Sequence, residues 1–248
     1  MTKYIKTNYN QTIAYNKIEG KKTGIIFLSG FNSDMTGQKA LEIEDWAKKN
    51  DHSYLRFDYT GHGKSSGNFD KLVFSDWLRD SSFVIENLTS GPQILIGSSM
   101  GGWIMLSLVK KQKYKIQSII GLASAPDFPK KLIWNNLNYI QKRTLIKNKK
   151  ITLSKIYDGE KYNYNITYDF IKDALSNLVM NSKIFFKGKV LLYHGMKDED
   201  VPYQTSIDIS KNIKGTKNIQ VILEKNGEHR LSEKNEIKCI KKLIENCL

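Results

Sequence analysis

The chain has 248 residues, 40% of them hydrophobic, so it is long enough to form one α/β domain with a sizeable core. No apolar run approaches the roughly 20 residues that a transmembrane helix needs. The formal net charge is +14, but only four of the 39 cations are arginine and the lysines are scattered along the chain. We interpret this pattern as a solvated lysine surface rather than a nucleic-acid site. The densest cluster, KNKK at 147–150, is predicted to lie in a loop, with at most a weak electrostatic role.

Both termini bear on the compartment in which the protein works. The opening MTKYIKTNYN lacks the apolar stretch of a secretory signal and the arginines of a transit peptide, so either the protein stays where it is made or a leader has been removed. Cys239 and Cys247 lie on a predicted terminal helix without metal-ligand partners, and we read them as free thiols in a reducing compartment. The Lys- and Asn-rich composition is typical of an AT-rich genome. We therefore expect a bacterial, cytoplasmic protein.

Apolar runs bounded by turn residues alternate with segments of helical periodicity, which predicts a doubly wound, mostly parallel α/β sheet. After an antiparallel opening hairpin, strands are predicted at 24–29, 53–58, 93–98, 116–124, 189–194 and 218–224, and helices at 36–49, 75–89, 100–112, 203–213 and 233–247. Between Pro126 and Phe186 the alternation stops for about sixty residues that are rich in aromatic side chains. We interpret residues 126–186 as a helical cap inserted into a single domain, 1–248.

Two adjacent serines follow the predicted strand at 93–98. The sequence GSSMG at 97–101 fits the pattern G-x-S-x-G, with Ser99 at its centre. An apolar strand precedes it and a helix start of small residues follows, which is the context that a nucleophile elbow needs. Ser99 is therefore the candidate nucleophile and Ser98 a buried neighbour. A glycine-rich turn with two capping serines is the alternative.

A serine hydroxyl becomes nucleophilic when a base removes its proton, and a carboxylate holds that base in the right tautomer. In this architecture the chain order is Ser, acid, His. His229 follows the last predicted strand, in a glycine-containing loop, and is the candidate base. The other histidines are interpreted as a surface residue, His52, a structural residue, His62, and a packing residue, His194.

The acid is expected directly after the strand KVLLYH, where three carboxylates stand together: Asp198, Glu199 and Asp200. Periodicity does not choose among them. Asp198 is preferred because it comes first in the turn, close to the rigid end of the strand. Asp200 is the fallback.

Acyl transfer also needs two backbone N–H groups that face the oxyanion. Met100 follows the nucleophile and supplies one, and Phe31 in the loop LSGFNSDMTG supplies the other, with Gly30 allowing a tight approach. For substrate contact we single out Ser98, Trp103 and Trp134, although a core position suits Trp103 better. No metal and no cofactor is expected.

The segments LSGFNSDMTGQKA, RFDYTGHGKSSG, GPQILIGSSMGGWIMLSL, HGMKDEDVP and HRLSEK resemble the mitochondrial acyl-protein thioesterase branch of the α/β-hydrolase superfamily, also described as acyl-glucuronide esterases. The resemblance covers roughly residues 20–245. It implies an α/β-hydrolase fold with Ser99 as nucleophile, Asp198 as acid and His229 as base. It also implies an acyl ester or thioester as substrate, S-acylated proteins included. Because the cap shapes the acyl pocket, a short-chain carboxylesterase, an acyltransferase and a non-catalytic ligand-binding protein stay open as alternatives.

Overall fold

A computed structural model describes residues 1–157 and 160–248. The strands are β1 (Lys3–Lys6), β2 (Thr12–Ile18), β3 (Lys22–Leu28), β4 (His52–Phe57), β5 (Gln93–Ser98), β6 (Ile116–Leu122), β7 (Lys150–Tyr157), β8 (Glu160–Thr167), β9 (Ile184–Phe185), β10 (Lys189–Gly195), β11 (Ile213–Lys214) and β12 (Ile219–Glu224). The helices are α1 (Gln38–Lys49), α2 (Phe74–Leu88), α3 (Met100–Lys110), α4 (Tyr139–Asn148), α5 (Tyr168–Ser176), α6 (Gln204–Asn212) and α7 (Lys234–Cys247). None of the helices in this part of the chain is long and apolar enough to cross a membrane.

Eight strands form the central sheet in the order β1-β2-β4-β3-β5-β6-β10-β12. β2 pairs antiparallel with β1 and with β4, and every pair from β4 to β12 is parallel. The predicted fold class, a doubly wound and mostly parallel sheet, is thus confirmed. The opening hairpin and the six predicted strands also form, with ends within two residues of the predicted ones.

Successive side chains of a strand point to opposite faces, so each central strand contributes to two cores. In β3, Ile26 and Leu28 pack on the face covered by α2 and α3. Ile25 and Phe27 pack on the other face, against α1 and α7. Because both faces are covered, the parallel strands are nearly continuous apolar runs, and this is why the sequence pattern revealed them.

The strand order places the functional loops. β3 lies between β4 and β5, so the connection from β3 to β4 runs to one side and the return to β5 passes to the other. The carboxyl ends of β3 and β5 therefore flank a crevice at the point where the strand order reverses, which is where open α/β sheets bind ligands. The loop with Phe31 and the turn with Ser99 begin there.

The insertion between β6 and β10 contains more than the predicted helices. Besides α4 and α5 it holds short helical turns at Pro129–Ile133 and Trp134–Asn136 and an antiparallel hairpin, β7–β8. Alternation explains the hairpin: Ile151 and Leu153 pack against the core, whereas Thr152 and Ser154 hydrogen-bond across to β8. The limits of the cap, 126–186, stay a prediction, and positions 158 and 159 lie outside the described residues.

Two expectations about local structure were wrong. KNKK at 147–150 is not a loop, because it spans the last turn of α4 and the first residue of β7. His52 is not a surface residue: it is buried, its ring stacks on Trp46 with centroids 5.4 Å apart, and its Nδ1 lies 2.9 Å from the carbonyl oxygen of Thr23. β4 begins at His52 itself, so its side chain faces α1 rather than solvent.

Candidate active site

Ser99 occupies a sharp turn between β5 and α3. Its backbone has φ 53° and ψ −117°, a conformation that L-residues rarely adopt. Hydrogen bonds fix the strained residue on both sides: its N–H donates to the carbonyl of Leu122, and its own carbonyl accepts from Gly102 and Ala125, all at 2.9 Å. The turn holds the Ser99 hydroxyl at the carboxyl edge of the sheet.

The glycines of GSSMG are required by close backbone approach. A methyl group on Gly101 would lie 2.0 Å from the carbonyl oxygen of Leu28 in β3. One on Gly97 would lie 2.6 Å from the carbonyl oxygen of Gly101. The start of α3 therefore touches both β3 and its own preceding strand, so only residues without a side chain fit there.

An unbroken chain of hydrogen bonds joins three of the predicted site residues. His229 Nε2 lies 3.0 Å from Ser99 Oγ, and His229 Nδ1 lies 2.8 Å from Asp198 Oδ2. With the Nδ1 proton donated to the carboxylate, Nε2 is the acceptor for the serine hydroxyl. The Asp198 side chain has no exposed surface and that of His229 is 19% exposed. The structure thus brings the predicted nucleophile, base and acid together in the predicted order.

Asp198 is held as an acceptor by four hydrogen bonds. Its Oδ1 accepts from the backbone N–H groups of Asp200 and Val201, and its Oδ2 accepts from His229 and His194. Burial alone would raise the pKa of Asp198, but the hydrogen bonds from the two histidines and from Val201 outweigh it and lower the pKa to about 2. The carboxylate is therefore ionised throughout the neutral range.

His194 is a site residue that sequence reasoning missed, because it was interpreted as packing. It is fully buried at the end of β10. Its Nε2 lies 3.0 Å from Asp198 Oδ2 and 2.9 Å from the carbonyl oxygen of Val201, and its Nδ1 lies 2.7 Å from Ser206 Oγ. Two acceptors at Nε2 assign the proton to that nitrogen, so His194 donates to the same oxygen that holds His229. The spacing His-x-x-x-Asp was the available signal.

The loops of the acid and the base are tied directly to each other. The N–H of Met196 donates to the carbonyl of Glu224 at 2.8 Å, and the N–H of Lys197 donates to the carbonyl of Gly227 at 2.9 Å. These two backbone hydrogen bonds hold the turn that carries Asp198 against the loop that carries His229, which supports the distance between the two side chains.

Phe31 and Met100, the predicted oxyanion donors, lie in the two segments next to Ser99. Met100 is the first residue of α3, where a backbone N–H has no intrahelical acceptor. Among the described residues, neither its N–H nor that of Phe31 has a hydrogen-bond partner. A side chain on Gly30 would start 3.4 Å from Ser99 Cβ, so the loop of Phe31 lies directly against the elbow. The two N–H groups remain our predicted oxyanion donors.

The three residues proposed to contact substrate differ in position. Ser98 is 9% exposed, at the end of β5 beside Ser99. Trp103 has no exposed surface, stacks on Phe74 with centroids 3.5 Å apart and donates from Nε1 to the carbonyl of Asn177. Substrate contact by Trp103 is therefore corrected to a core role, since α3 turns this residue inward. Trp134 is half-buried in the insertion, and its contact with substrate stays a prediction.

Aromatic rings connect the insertion to the loop of Phe31. The Phe31 ring stacks on Phe170 at 5.4 Å and meets Phe128 and Phe69 edge-on at 5.5 and 5.0 Å. Phe31, Phe69 and Phe128 are partly exposed, so the cluster leaves apolar surface next to the elbow. His62 lies behind it, and burial lowers the pKa of His62 to about 4, which keeps the ring neutral.

One group of possible metal ligands occurs among the described residues, and it overlaps the site. Asp198, Asp200 and His229 have ligand atoms within 4.8 Å of one another. Both ring nitrogens of His229 already face hydrogen-bond partners, Asp198 and Ser99. This arrangement suits proton transfer better than metal coordination, which needs a ring nitrogen lone pair directed at the ion.

Comparisons with known proteins show similarity to hydrolases over most of the chain. The family model described as serine aminopeptidase, S33, matches residues 20–158. The bovine and human mitochondrial palmitoyl-protein thioesterases ABHD10 are each 37% identical to this chain, over 241 and 238 residues, which is 95% of this chain and 76% of theirs.

Solved structures are similar over nearly the whole chain. The mouse α/β-hydrolase domain-containing protein 10 superposes with a TM-score of 0.91 at 34% identity, covering 99% of this chain and 97% of that one. A putative hydrolase from Agrobacterium vitis S4 gives a TM-score of 0.92 at 30% identity, with 100% and 98% covered. Est1E from Butyrivibrio proteoclasticus shares the fold, with a TM-score of 0.78 at 20% identity and 98% of this chain and 96% of that one covered.

Proposed function

Because the chain belongs to the serine aminopeptidase S33 family of α/β-hydrolases, and is a hydrolase of the serine type, we propose that it cleaves acyl thioesters through an acyl-Ser99 intermediate. The observation that carries the proposal is the hydrogen-bonded chain from Asp198 through His229 to Ser99. The mitochondrial relatives described as palmitoyl-protein thioesterases support a long acyl chain on a protein thiol as the substrate class.

Each site residue has one role in the proposed reaction. Ser99 Oγ attacks the acyl carbonyl carbon while His229 Nε2 takes the hydroxyl proton, and ionised Asp198 stabilises the imidazolium through Nδ1–H. The N–H groups of Phe31 and Met100 donate to the oxyanion of the tetrahedral intermediate. When that intermediate collapses, the bond from carbon to the leaving sulfur breaks and His229 returns its proton to the thiolate.

Water then repeats the cycle on the acyl-enzyme. His229 removes a proton from the water molecule, the hydroxide adds to the acyl carbon, and Ser99 Oγ leaves as the protonated hydroxyl. The products are a carboxylic acid and a thiol, so atoms and protons balance without a metal or a redox cofactor. An alcohol in place of water would give acyl transfer by the same steps.

The aromatic surface beside the elbow supports an apolar acyl group. Phe31, Phe69 and Phe128 are partly exposed at the loop that carries the proposed oxyanion donor. Each methylene of an acyl chain that leaves water for such a surface gains about 0.8 kcal/mol. A long chain therefore gains far more than an acetyl group, and the rate is expected to rise with chain length until the surface is filled.

Matched acyl thioesters and oxygen esters with acyl chains of graded length test the proposal on the purified protein. Long-chain thioesters are expected to be cleaved fastest, Ser99→Ala to abolish turnover, and mass spectrometry to find the acyl group on Ser99. Ser90→Ala is the matched control, since Ser90 is exposed and precedes β5, at the opposite end of the strand from Ser99.

The alternatives would give different results. Preference for short oxygen esters would indicate a carboxylesterase that shares only the catalytic machinery, and ester formation with an added alcohol would indicate an acyltransferase. No turnover and no adduct on Ser99 would leave a ligand-binding protein. The cytoplasm stays our predicted compartment, supported by Cys239 and Cys247, which are free thiols. Cell fractionation tests it.

A further inference from the structure

The outer side of α4 carries an exposed surface that the proposed reaction does not use. Tyr139 and Ile140 are each 73% exposed and Ile146 is 44% exposed. Arg143 and Lys147 lie between them on the same side of the helix, and the Arg143 guanidinium lies 5.7 Å from the centroid of the Tyr139 ring. We call these five residues the α4 face.

The sequence of α4 determines which side of the helix faces solvent. Asn138 and Gln141 cap its first turn reciprocally, each side chain accepting from the other residue's N–H at 2.9 Å. Leu145, on the opposite side, is completely buried in the main core. Because one side is anchored, the apolar residues of the α4 face remain in water, which costs free energy unless a partner covers them.

The charge around the face has one sign. Residues 128–157 contain eight Lys or Arg and no Asp or Glu. Lys150 pairs with Asp70 at 2.6 Å, but no carboxylate in the described part of the chain pairs with Arg143 or Lys147. A partner of this surface therefore has to be anionic and has to accept apolar side chains as well.

A lipid surface fits this combination better than a peptide. All residues that line the face belong to one helix, so it is a ridge without a second wall to hold an extended chain. On a bilayer the isoleucines enter the acyl boundary, the tyrosine lies at the headgroups, and the long cationic side chains reach the lipid phosphates. We propose that the α4 face docks the cap on an anionic membrane surface.

Docking would bring the insertion to the lipid. Phe170, in the same insertion, stacks on Phe31 beside the elbow, so the segment that covers the site also carries the α4 face. The proposal depends neither on Ser99 nor on the acyl substrate, because vesicle binding is measured without turnover. Its failure would leave the proposed hydrolase activity untouched.

Sedimentation with lipid vesicles tests the charge component. The wild-type protein is expected to partition onto vesicles of equal phosphatidylcholine and phosphatidylglycerol, and much less onto phosphatidylcholine alone. Each cation at an anionic surface contributes roughly fivefold, so Arg143→Gln with Lys147→Gln lowers the partition coefficient about 30-fold. Lys115→Gln with Lys217→Gln is the control: both lysines are exposed and lie just before β6 and β12, at the amino ends of these parallel strands and away from the end that carries Ser99.

The apolar component has its own variant and an optical readout. Ile140→Ser with Ile146→Ser is expected to weaken binding about tenfold, since less apolar surface leaves water. Leu41→Ser, at an exposed position of α1, should leave binding unchanged. Trp134 is half-buried, and the other three tryptophans are buried. A blue shift of tryptophan emission on vesicles therefore reports on the insertion.

Three outcomes would overturn the proposal. They are equal binding to neutral and anionic vesicles, an equal loss of binding in the Lys115 and Lys217 control, and full binding by the Arg143 and Lys147 variant. The last result together with capture of an acidic protein would assign the face to a protein partner instead. Circular dichroism and hydrolysis of a soluble short-chain ester, both expected to be unchanged, show that every variant is folded.

Discussion

His194 is expected to position His229 and Ser99 through Asp198, and two substitutions separate that role from simple packing. His194→Leu removes the N–H that Asp198 Oδ2 accepts at 3.0 Å, and it leaves Ser206 and the Val201 carbonyl without their partner. His194→Gln keeps a donor, because the amide nitrogen of glutamine reaches about as far as Nε2 of histidine. The pair therefore differs mainly in the hydrogen bond to the carboxylate.

The size of the effect follows from the contacts of Asp198. Two backbone N–H groups hold Oδ1, whereas Oδ2 accepts from His229 and His194 only. A hydrogen bond to a charged group contributes about 1.5–3 kcal/mol, so complete loss of orientation corresponds to roughly 10- to 150-fold in kcat/KM. The loss is expected in kcat with little change in KM, because His194 lies behind the acid and not beside the acyl group.

The same substitution changes the pH dependence of stability in a defined direction. The pKa of Asp198 is lowered to about 2, so its stabilising contribution is present above pH 4 and is lost as the pH falls towards 2. His194→Leu moves this pKa upward. The difference in unfolding free energy between wild type and variant should therefore be largest at pH 6 and become smaller below pH 4.

Steady-state kinetics with an acyl ester and urea titrations at several pH values check these expectations. His194→Gln should retain kcat/KM within a few-fold while His194→Leu does not. Our reasoning is refuted if His194→Leu keeps kcat within threefold of wild type, or if the glutamine variant is as slow as the leucine variant. In the second case shape rather than hydrogen bonding would explain the role of His194.

Three further predictions concern groups near the site or in the core. Because the pKa of His62 is lowered to about 4, the native state disfavours protonation, and stability falls by about 3 kcal/mol between pH 6.5 and 4; urea titrations of His62→Phe should lack that component, and an equal slope would contradict it. Gly101→Ala places a methyl group 2.0 Å from a carbonyl oxygen of β3, so urea titrations should find the free energy of unfolding lower by about 3 kcal/mol or more, with loss of activity. Gly91→Ala meets no atom within 4 Å but has φ 71°, so it should lower the free energy of unfolding by only about 1 kcal/mol. Burial raises the pKa of Cys247 to about 11, so mass spectrometry after alkylation at pH 8 should find it unmodified in the native protein, with Cys239 modified first; rapid labelling of Cys247 would argue against its burial.

The sheet was predictable because buried parallel strands leave a strong apolar signal. The prediction for β5, 93–98, agrees with the structure at both ends, and Ser99 follows it directly. The turn that presents Ser99 was predictable too, since close backbone contact at Gly97 and Gly101 excludes other residues. In both places the local sequence and the tertiary packing favour the same structure.

Contacts that depend on loop geometry were not predictable. His194 and Asp198 are four residues apart, but their hydrogen bond forms only because the turn after β10 folds back on the strand end. The β7–β8 hairpin was missed because the long insertion was interpreted as a purely helical cap, although Ile151 and Leu153 alternate with polar residues. Likewise, only packing shows that Trp103 faces Phe74.

The backbone position of Phe31 was predictable from the sequence, whereas the contacts of its ring were not. Its N–H belongs to a loop that the sheet topology places against Ser99, whereas its ring packs on Phe128 and Phe170 of the insertion. The backbone donor and the aromatic contact belong to one residue, so a shift of the insertion displaces the proposed oxyanion donor as well. A displacement of about 1 Å is enough to lower a rate about 100-fold. We therefore expect substitutions at Phe128 or Phe170 to lower the turnover rate as well as to change the substrate preference.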